Sequence, residues 1–518
     1  MRPTPPAPRP RLRLALAATV VSALALSGCS TGESVDLDGS GAGATGGAEF
    51  IAAIGGEPDQ LDPQSTSSYF SFQVLENVFD TLVEPGDDLT MQPALAESWE
   101  VSDDQLTWTF TLREGVEFHD GSPLTSEDVL YSYNRIVDNE LANAWRFAAI
   151  TDISAPDELT VVIEVGSPTP NLLANLGAFK GMAIVNEENV ESGDIQTAPV
   201  GTGPFVFESY TTADSIKLSA NPDYWDGAPE IDALTFRFIS EGTTALTALQ
   251  NGEIHWTDTI PAQNIESLGS EDGVTLGQTG SNDYWYLALN QARQPFGDER
   301  VRQAIAYAID RDAIAQAAWQ GAATVNQLAV PESSSWYVEY DGYTTDSERA
   351  QQLLAEAGVE NLELEIMVAS DYPETVTAAQ VMESQLAEAG IGLTIRTIDF
   401  GTWLDDQNSG NFDMLMMGWL GNLDPDDFYY AQHHSTGGFN AQGYSNAEVD
   451  GLLDDARVET DEATRYELYA EAARIIADEA SYIYLYNPDV VQAWSSDVSG
   501  YEVRGDAAIR FRDVGIAS

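Results

Sequence analysis

Residues 418–434 read GWLGNLDPDDFYYAQHH and combine several side chains that could do chemistry. The segment holds three aspartates, four aromatic residues and the adjacent pair His433 and His434, in a chain with only four histidines. Carboxylates and imidazoles could ligate a metal or transfer protons, whereas aromatic rings could form the wall of a binding pocket. The segment therefore allows three interpretations: a metal site, an acid/base site or a wall that holds a ligand unchanged.

The spacing of these residues gives little support to the first two interpretations. The sequence contains no H-E-x-x-H pair and no phosphate-binding P-loop. Asp and Glu are so abundant that no carboxylate pair stands out as that of a hydrolase. Adjacent His433 and His434 would point to different sides of a strand, so we predict exposed loop histidines, with a metal or metal-complex site as the alternative. His119 and His255 each stand alone and are interpreted as structural or surface residues.

The elements around the segment predict where it lies. The strand-like sequence FDMLMMGW (412–419) ends at Gly418 and Trp419, the first two residues of the segment 418–434. Upstream, a strand at 362–368, a helix at 374–389 and a strand at 393–398 alternate as expected for a parallel sheet. Ligands of such sheets bind beyond the carboxyl ends of the strands. The segment is therefore expected at a position where binding sites occur.

The remaining patterns predict two parts of different construction. Strands alternating at period two dominate the first half, at 106–112, 158–165, 204–208 and 233–239. Asp298 is expected to cap a helix that Gly321 stops, and further helices are expected at 446–457 and 461–478. Strand 481–487 should place Tyr482, Tyr484 and Tyr486 on one face.

Charge narrows the classes of partner. The chain of 518 residues has 84 acidic and 22 basic residues, a formal net charge of −62. Such a surface repels nucleic acids and anionic lipid headgroups, so we expect no nucleic-acid partner.

The first residues resemble a bacterial lipoprotein signal. Four arginines precede the apolar run Leu14–Leu26, which is followed by Ser27-Gly28-Cys29, the only cysteine of the chain. The resemblance implies a signal at 1–29, cleavage before a lipidated Cys29, and export to the outer face of the cytoplasmic membrane, where acyl chains anchor the protein. Residues 30–47, rich in Gly and Ser, are expected to form a flexible tether.

Four long blocks resemble the solute-binding lipoproteins of ABC importers, the peptide/nickel-binding family 5. The blocks lie at 75–136, 199–239, 286–314 and 418–456, and include LREGVEFHDGSPLTSEDVLYSYNRI, PVGTGPFVFESY and GWLGNLDPDDF. The resemblance implies an α/β, two-lobed periplasmic-binding-protein fold (a Venus flytrap) of the large three-domain type with a discontinuous first lobe. Expected bounds are 48–80, 198–282 and 490–518 for lobe I (domain Ia), 81–197 for an inserted domain Ib, and 283–489 for lobe II.

The resemblance also implies the function. Lobe closure would capture a di- or oligopeptide and deliver it to an ABC permease with its ATPase subunits, without a chemical reaction and without a cofactor. The protein is expected to act as a monomer. A nickel or metal-chelate receptor and an oligosaccharide receptor on the same fold remain alternatives, as does an exported hydrolase.

Residues after strand 412–419 are matched to the family's ligand site. Trp419 is expected to form a wall, and Asn422 stands where peptide binders commonly carry an Asp that pairs with the ligand's amino group, with Asp424 as a substitute. The segment 368–380, where dipeptide binders carry an Arg for the ligand carboxylate, contains no Arg. Both departures argue against a free zwitterionic dipeptide and leave a longer or neutral peptide, or another solute, open.

Further candidate ligand contacts come from three places. Ser68, Tyr69 and Phe70 follow the LDP sequence, where the family's first lobe faces the ligand. Tyr284 and Trp285 stand at the first expected crossover between lobes, with core packing as the alternative. Arg146, after Trp145, is expected to approach the cleft from domain Ib.

Overall fold

The computed structural model of the protein describes residues 48–86, 89–420 and 422–517. The predicted signal 1–29, its Cys29 and the predicted tether 30–47 lie outside these residues. None of the helices in the described part of the chain has the length and apolarity that a membrane span requires.

Strands occur along the whole described chain, and most have apolar residues on at least one face. In chain order they are β1 (Glu49–Ile54), β2 (Val83–Pro85), β3 (Met91–Pro93), β4 (Ala96–Val101), β5 (Thr107–Leu112), β6 (Ile150–Asp157), β7 (Thr160–Val165), β8 (Phe205–Thr211), β9 (Ser215–Ala220), β10 (Ala233–Phe238), β11 (Trp256–Thr257), β12 (Val274–Gly280), β13 (Tyr284–Leu289), β14 (Ala323–Val325), β15 (Glu363–Ala369), β16 (Gly392–Ile398), β17 (Met414–Trp419), β18 (Tyr482–Ser495), β19 (Val498–Ser499) and β20 (Gly515–Ile516).

Helices also occur along the whole described chain. In chain order they are α1 (Tyr69–Leu75), α2 (Ser126–Asp138), α3 (Leu172–Gly177), α4 (Phe179–Met182), α5 (Glu187–Glu191), α6 (Gly242–Gln250), α7 (Ile265–Leu268), α8 (Glu299–Ala308), α9 (Arg311–Trp319), α10 (Ser347–Glu356), α11 (Pro373–Glu388), α12 (Phe400–Ser409), α13 (Pro425–His433), α14 (Ala447–Val458) and α15 (Glu462–Asp478). The two longest, α11 and α15, lie in the second half of the chain.

Acidic side chains begin several helices because a carboxylate satisfies main-chain N–H groups that have no partner in the first turn. Asp298 caps α8, as the sequence predicts, by accepting a bond from the N–H of Arg300. The prediction of one helix up to Gly321 is wrong. Ile309 has extended backbone, and Asp310 then caps a separate helix, α9, by accepting from the N–H of Ala313.

A 12-stranded sheet carries most of the structure, and β18 is its central member. Its strands run in the order β16-β15-β17-β13-β18-β11-β1-β10-β9-β8, with β12 and β14 also paired to β18. Residues 482–486 of β18 pair with β13, and residues 489–495 pair with β12. One continuous strand therefore joins the two parts of the sheet, and the chain also crosses between them at residues 281–283.

The predicted parallel arrangement in the second half is confirmed. Strand β15 pairs in parallel with β16 on one side and with β17 on the other. Helix α11 connects β15 to β16 and packs its buried residues against them. The amino end of α11 consequently lies at the carboxyl end of β15, where ligands of such sheets bind.

A separate four-stranded sheet is antiparallel, with the order β4-β5-β7-β6. It has its own core with α2, which includes Phe110, Ile136 and Ile163. These strands fall within the segment 81–197 that the sequence assigns to an inserted domain. The domain bounds themselves stay predictions.

The prediction that three tyrosines of β18 share one face is wrong for the third. Tyr482 and Tyr484 pack in one core, whereas Tyr486 packs in the core on the opposite face. The pairing of β13 with β18 shifts register between Trp285 and Tyr286, opposite this point. A bulge of this kind breaks the period-two alternation and reorients the next side chain.

Candidate ligand-binding cleft

A cavity of about 780 Å³ is lined by α1 and by the beginning of α11. Further walls come from β13, the end of α9, and the segments 258–263 and 488–492. The volume is in the range typical of small-molecule sites. We call this cavity the cleft.

Helix α1 contributes one whole face to the cleft. Four of its lining residues share one side: Phe72, Gln73 and Glu76 follow Tyr69 by three, four and seven positions. This spacing aligns side chains on one side of a helix. Gln73 is 1% exposed, and its Nε2 donates to Oδ2 of Asp258 at 2.6 Å. Its Oε1 has no hydrogen-bond partner among the described residues. An acceptor is thus left unused in the cleft wall.

Aromatic rings from three elements form the opposite wall. Trp285 on β13 lies with its ring centroid 6.4 Å from that of Trp319 and 6.1 Å from that of Tyr372. Trp319 ends α9 and Tyr372 is the N-cap of α11. These rings provide a large apolar surface beside the first turn of α11.

The charges around the cleft are mostly negative. Arg510 is the single basic residue in its lining among the described residues, and Arg510 is paired with Glu84 at 2.7 Å. The acidic lining residues are Glu76, Glu241, Asp258, Asp283, Glu374, Asp489 and Asp506. The cleft therefore attracts cations and repels anions.

Three of these carboxyl groups hold their protons more tightly than usual because burial disfavours the charged form. Burial raises the pKa of Glu76 to about 8, of Glu374 to about 7 and of Asp258 to about 6. Arg510 lowers the pKa of Glu76, and hydrogen bonds from Gln73 and Thr259 lower that of Asp258, without cancelling the effect of burial. Glu374 has no side-chain partner within the described residues.

The structure places three of the residues predicted from the sequence, Tyr69, Phe70 and Trp285, in the cleft lining. Ser68 is the N-cap of α1, just before the lining face. Tyr284 is fully buried in the core, where its hydroxyl donates to the carbonyl of Phe428 at 3.3 Å. Successive strand residues face opposite sides, so Trp285 reaches the cleft and Tyr284 does not. Ligand contact by the lining residues stays a prediction.

The loop after β17 presents Leu420 and Leu423, rather than the predicted polar residues, to the cleft. Trp419 is half-buried, and its Nε1 donates to the carbonyl of Asp427 at 3.0 Å. Asn422 is 1% exposed, and its Nδ2 donates to the main-chain carbonyl of Asn282 at 3.1 Å. In return, Nδ2 of Asn282 donates to the main-chain carbonyl of Asn422 at 2.8 Å. Ligand contact by Trp419 and Asn422 requires a different arrangement of this loop and stays a prediction.

Asp424 and Arg146 are also engaged away from the cleft. Asp424 caps α13 and forms a capping box with Asp427. The Asp424 carboxylate also accepts hydrogen bonds from both terminal nitrogens of Arg465, at 2.6 and 2.8 Å. Arg146 is buried and pairs with Asp427 at 3.0 Å. These bonds give both residues a structural role.

The prediction that the two histidines are exposed in a loop is wrong. His433 ends α13 and is fully buried, with its ring nitrogens 3.0 Å from the Ser481 hydroxyl and 2.9 Å from the Tyr484 hydroxyl. His434 is the C-cap of the same helix and is 7% exposed. Both residues therefore belong to a helix end that packs in the interior. No group of three metal-ligating side chains occurs in the part of the chain that the structure describes.

The sequence did not single out Gln73, Glu76, Asp258 and Glu374. The helical spacing of Tyr69, Gln73 and Glu76 was a usable signal for one face of α1. Glu374 stands in the segment 368–380, which attracted attention only because it lacks an Arg. Asp258 had no local signal, since its partner Gln73 is 185 positions away in the chain.

Comparison with known proteins identifies the chain. Residues 90–440 match the family described as bacterial extracellular solute-binding proteins, family 5 Middle, which is more than half of the chain. The protein belongs to solute-binding protein family 5. The family resemblance predicted from the four sequence blocks is therefore confirmed.

Two curated relatives of this family 5 protein are binding proteins. The glutathione-binding protein GsiB of Pectobacterium atrosepticum is 29% identical over 480 residues, which cover 90% of this chain and 93% of that protein. The probable di/tripeptide-binding protein 5 of Pseudomonas aeruginosa is 30% identical over 448 residues, which cover 80% of this chain and 85% of that protein.

A solved structure matches the family 5 protein over most of its length. The periplasmic binding protein DppA of Helicobacter pylori, in complex with the peptide STSA, has a TM-score of 0.83 and 28% identity and covers 91% of this chain and 98% of its own. The predicted α/β, two-lobed periplasmic-binding-protein fold is confirmed. The family 5 protein is accordingly a bacterial extracellular solute-binding protein.

Proposed function

We propose that this family 5 protein captures peptides of the di- to oligopeptide class outside the cytoplasmic membrane and delivers them to an ABC permease. Lipidated Cys29 anchors it to the outer face of that membrane, and ATPase subunits of the importer supply the energy. The protein itself binds and releases its ligand without a chemical reaction and without a cofactor, and it acts as a monomer.

The single observation that carries the proposal is the position of the cleft relative to β18. Residues 488–492 of β18 line the cleft at the point where its pairing changes from β13 to β12. Helix α1 contributes from one part of the sheet and α11 from the other. A ligand in contact with both would favour the closed arrangement of the two lobes, because it binds that arrangement better. The proposed lobes are 48–80 with 198–282 and 490–518, and 283–489, with 81–197 inserted.

A screen of unfolding temperature tests the peptide class. Protein refolded free of ligand is mixed with peptides of two to six residues, with oligosaccharides and with nickel chelates. A peptide present at a hundredfold excess over its Kd should raise the free energy of unfolding by about 2.7 kcal/mol. If oligosaccharides or chelates stabilise the protein and peptides do not, the peptide proposal is wrong.

A steric block tests whether the cleft is the site. Thr377 on α11 lines the cleft, and its hydroxyl donates to the carbonyl four residues earlier. The matched control is Thr247 on α6, which makes the same bond and lies outside the cleft lining. Thr377→Trp should abolish peptide stabilisation and Thr247→Trp should retain it. Equal stabilisation in both variants would place the ligand elsewhere.

Release of a Cys29→Ala variant from the membrane fraction tests the anchor.

A further inference from the structure

We propose that the ligand carries a positive group, such as the guanidinium or ammonium of an Arg- or Lys-containing peptide, and that Glu374 with its surrounding aromatic rings receives it. This inference rests on the proposed function, since it names the chemical class of the ligand held in the same cleft.

The carboxylate of Glu374 is available to a ligand. It lies at the second position of α11, lines the cleft and has no side-chain partner within the described residues. By contrast, Asp506 pairs with Arg504 at 3.1 Å and Glu241 caps the first turn of α6. Glu374 is partly buried, and a partly desolvated carboxylate without a counter-charge is costly. A cation from the ligand would reduce that cost.

Aromatic residues from three elements line the cleft together with Glu374: Trp285 on β13, Trp319 on α9 and Tyr372 at the start of α11. Tyr372 is the N-cap of the helix that carries Glu374, and Tyr486 lies on β18. Tyr486 in turn packs against Trp319 with ring centroids 6.4 Å apart, and Tyr372 packs against Trp285. Cations bind to the faces of Trp and Tyr, and more strongly where water is excluded. A carboxylate among such rings is therefore suited to an ammonium or guanidinium group.

Gln73 provides an independent indication from the other wall. Its side chain is 1% exposed and lines the cleft. Its Nε2 donates to Asp258, and its Oε1 lacks a partner in the described residues. An unused acceptor beside a carboxylate would be satisfied by a ligand group that carries donors. Ammonium and guanidinium groups carry several donors and no acceptor.

The carboxyl groups of the cleft differ from the many carboxylates on the surface of this acidic chain. Surface carboxylates elsewhere keep their water, whereas those in the cleft are partly desolvated, so burial raises the pKa values of Glu76, Asp258 and Glu374. Among the described residues that line the cleft, Arg510 is the single basic one, and it is already paired with Glu84. The missing cation is thus expected from the ligand.

Matched peptides test the inference by calorimetry. Tri- and pentapeptides that differ at one position, with Arg, citrulline, Ala or Glu there, are titrated into ligand-free protein. Citrulline has nearly the shape of Arg without its charge. The Arg peptide should bind about 10- to 100-fold more tightly than the citrulline peptide, the range expected for a hydrogen-bonded charge, and the Glu peptide most weakly.

Two variants assign the effect to Glu374. Glu374→Gln should reduce the preference for Arg over citrulline to less than about threefold. The control Glu348→Gln changes a glutamate at the same second position of α10, exposed and outside the cleft lining, and should leave the preference unchanged. Citrulline, Ala or Glu peptides that bind as well as the Arg peptide would overturn the inference and leave the peptide receptor intact. Failure of every peptide would instead overturn the proposed function.

Discussion

Arg146 and Asp427 form a buried ion pair across 281 positions of sequence, with Nη1 and Oδ1 3.0 Å apart and side chains 4% and 5% exposed. Arg146 follows α2 in the segment 81–197, and Asp427 belongs to the capping box of α13. The guanidinium also lies 4.5 Å from the ring of Trp145. The pair ties the part of the chain that contains the four-stranded sheet to the first turn of α13.

Arg146→Met should therefore destabilise the protein strongly. Removal of one partner of a buried pair leaves the other charge desolvated, which costs about 3–5 kcal/mol of unfolding free energy. Denaturant unfolding measures the loss. Arg293→Met is the control, because its pair with Asp413 at 2.9 Å is 41% and 30% exposed and contributes far less. Similar losses in both variants would mean that the buried pair has no special role.

Acid should destabilise the protein through His433. Burial lowers its pKa to about 3, whereas the unfolded chain titrates near 6.5. The unfolded state then binds the proton first, so this contribution to stability is complete above pH 6.5 and is lost as the pH falls towards 3. About 2 kcal/mol should be lost between pH 7 and pH 5.

His433→Gln checks this origin. The variant is expected to be less stable than the wild type at pH 7, since it disturbs the bonds to Ser481 and Tyr484. Between pH 7 and pH 5, the unfolding free energy of the variant should nevertheless fall by about 2 kcal/mol less than that of the wild type. Equal pH dependence of the two proteins would contradict the buried neutral imidazole.

The ionisation of Glu374 should make the protein less stable as the pH rises, which is opposite to the pH dependence that His433 causes. Burial raises the pKa of Glu374 to about 7, so the folded state without ligand holds the proton more tightly than the unfolded state. The stability that this group contributes is therefore highest below about pH 4 and falls as the pH rises through 7. Glu374→Gln should stabilise the ligand-free protein at pH 8, on the order of 1–3 kcal/mol, and change little at pH 5. Denaturant unfolding at both pH values measures the difference; a destabilised variant at pH 8 would contradict it.

Gly418 keeps Trp285 in place. The two residues are paired across β13 and β17, and a Cβ at position 418 would lie 2.9 Å from Cε2 of the indole. Gly418→Ala should displace the ring from its preferred orientation, which costs about 1 kcal/mol of free energy. Ligand binding should therefore weaken about fivefold. Gly438→Ala is the control, since its Cβ would meet no atom within 4 Å. Calorimetry with the best-bound peptide compares the two; unchanged affinity in Gly418→Ala would exclude the ring from the site.

Local patterns were sufficient for most elements of the fold. Apolar period-two segments became β5, β7, β10 and β15, and the βαβ order gave the parallel pairing of β15 with β16. The failures have local causes that only the folded chain reveals. The histidines lie at the end of α13, packed in the interior rather than in an exposed loop, and a bulge beside Trp285 turned Tyr486 to the other face.

The sequence by itself determined the charge, the order of elements and, through four long blocks, the family. Tertiary structure decided which residues share the cleft, because its polar partners are far apart in the chain: Gln73 and Asp258 are 185 positions apart. It also gave Asn422, Asp424 and Arg146 partners within the protein, and it left Glu374 without a side-chain partner among the described residues. Whether a polar side chain is satisfied depends on its three-dimensional neighbours, which no spacing along the chain specifies.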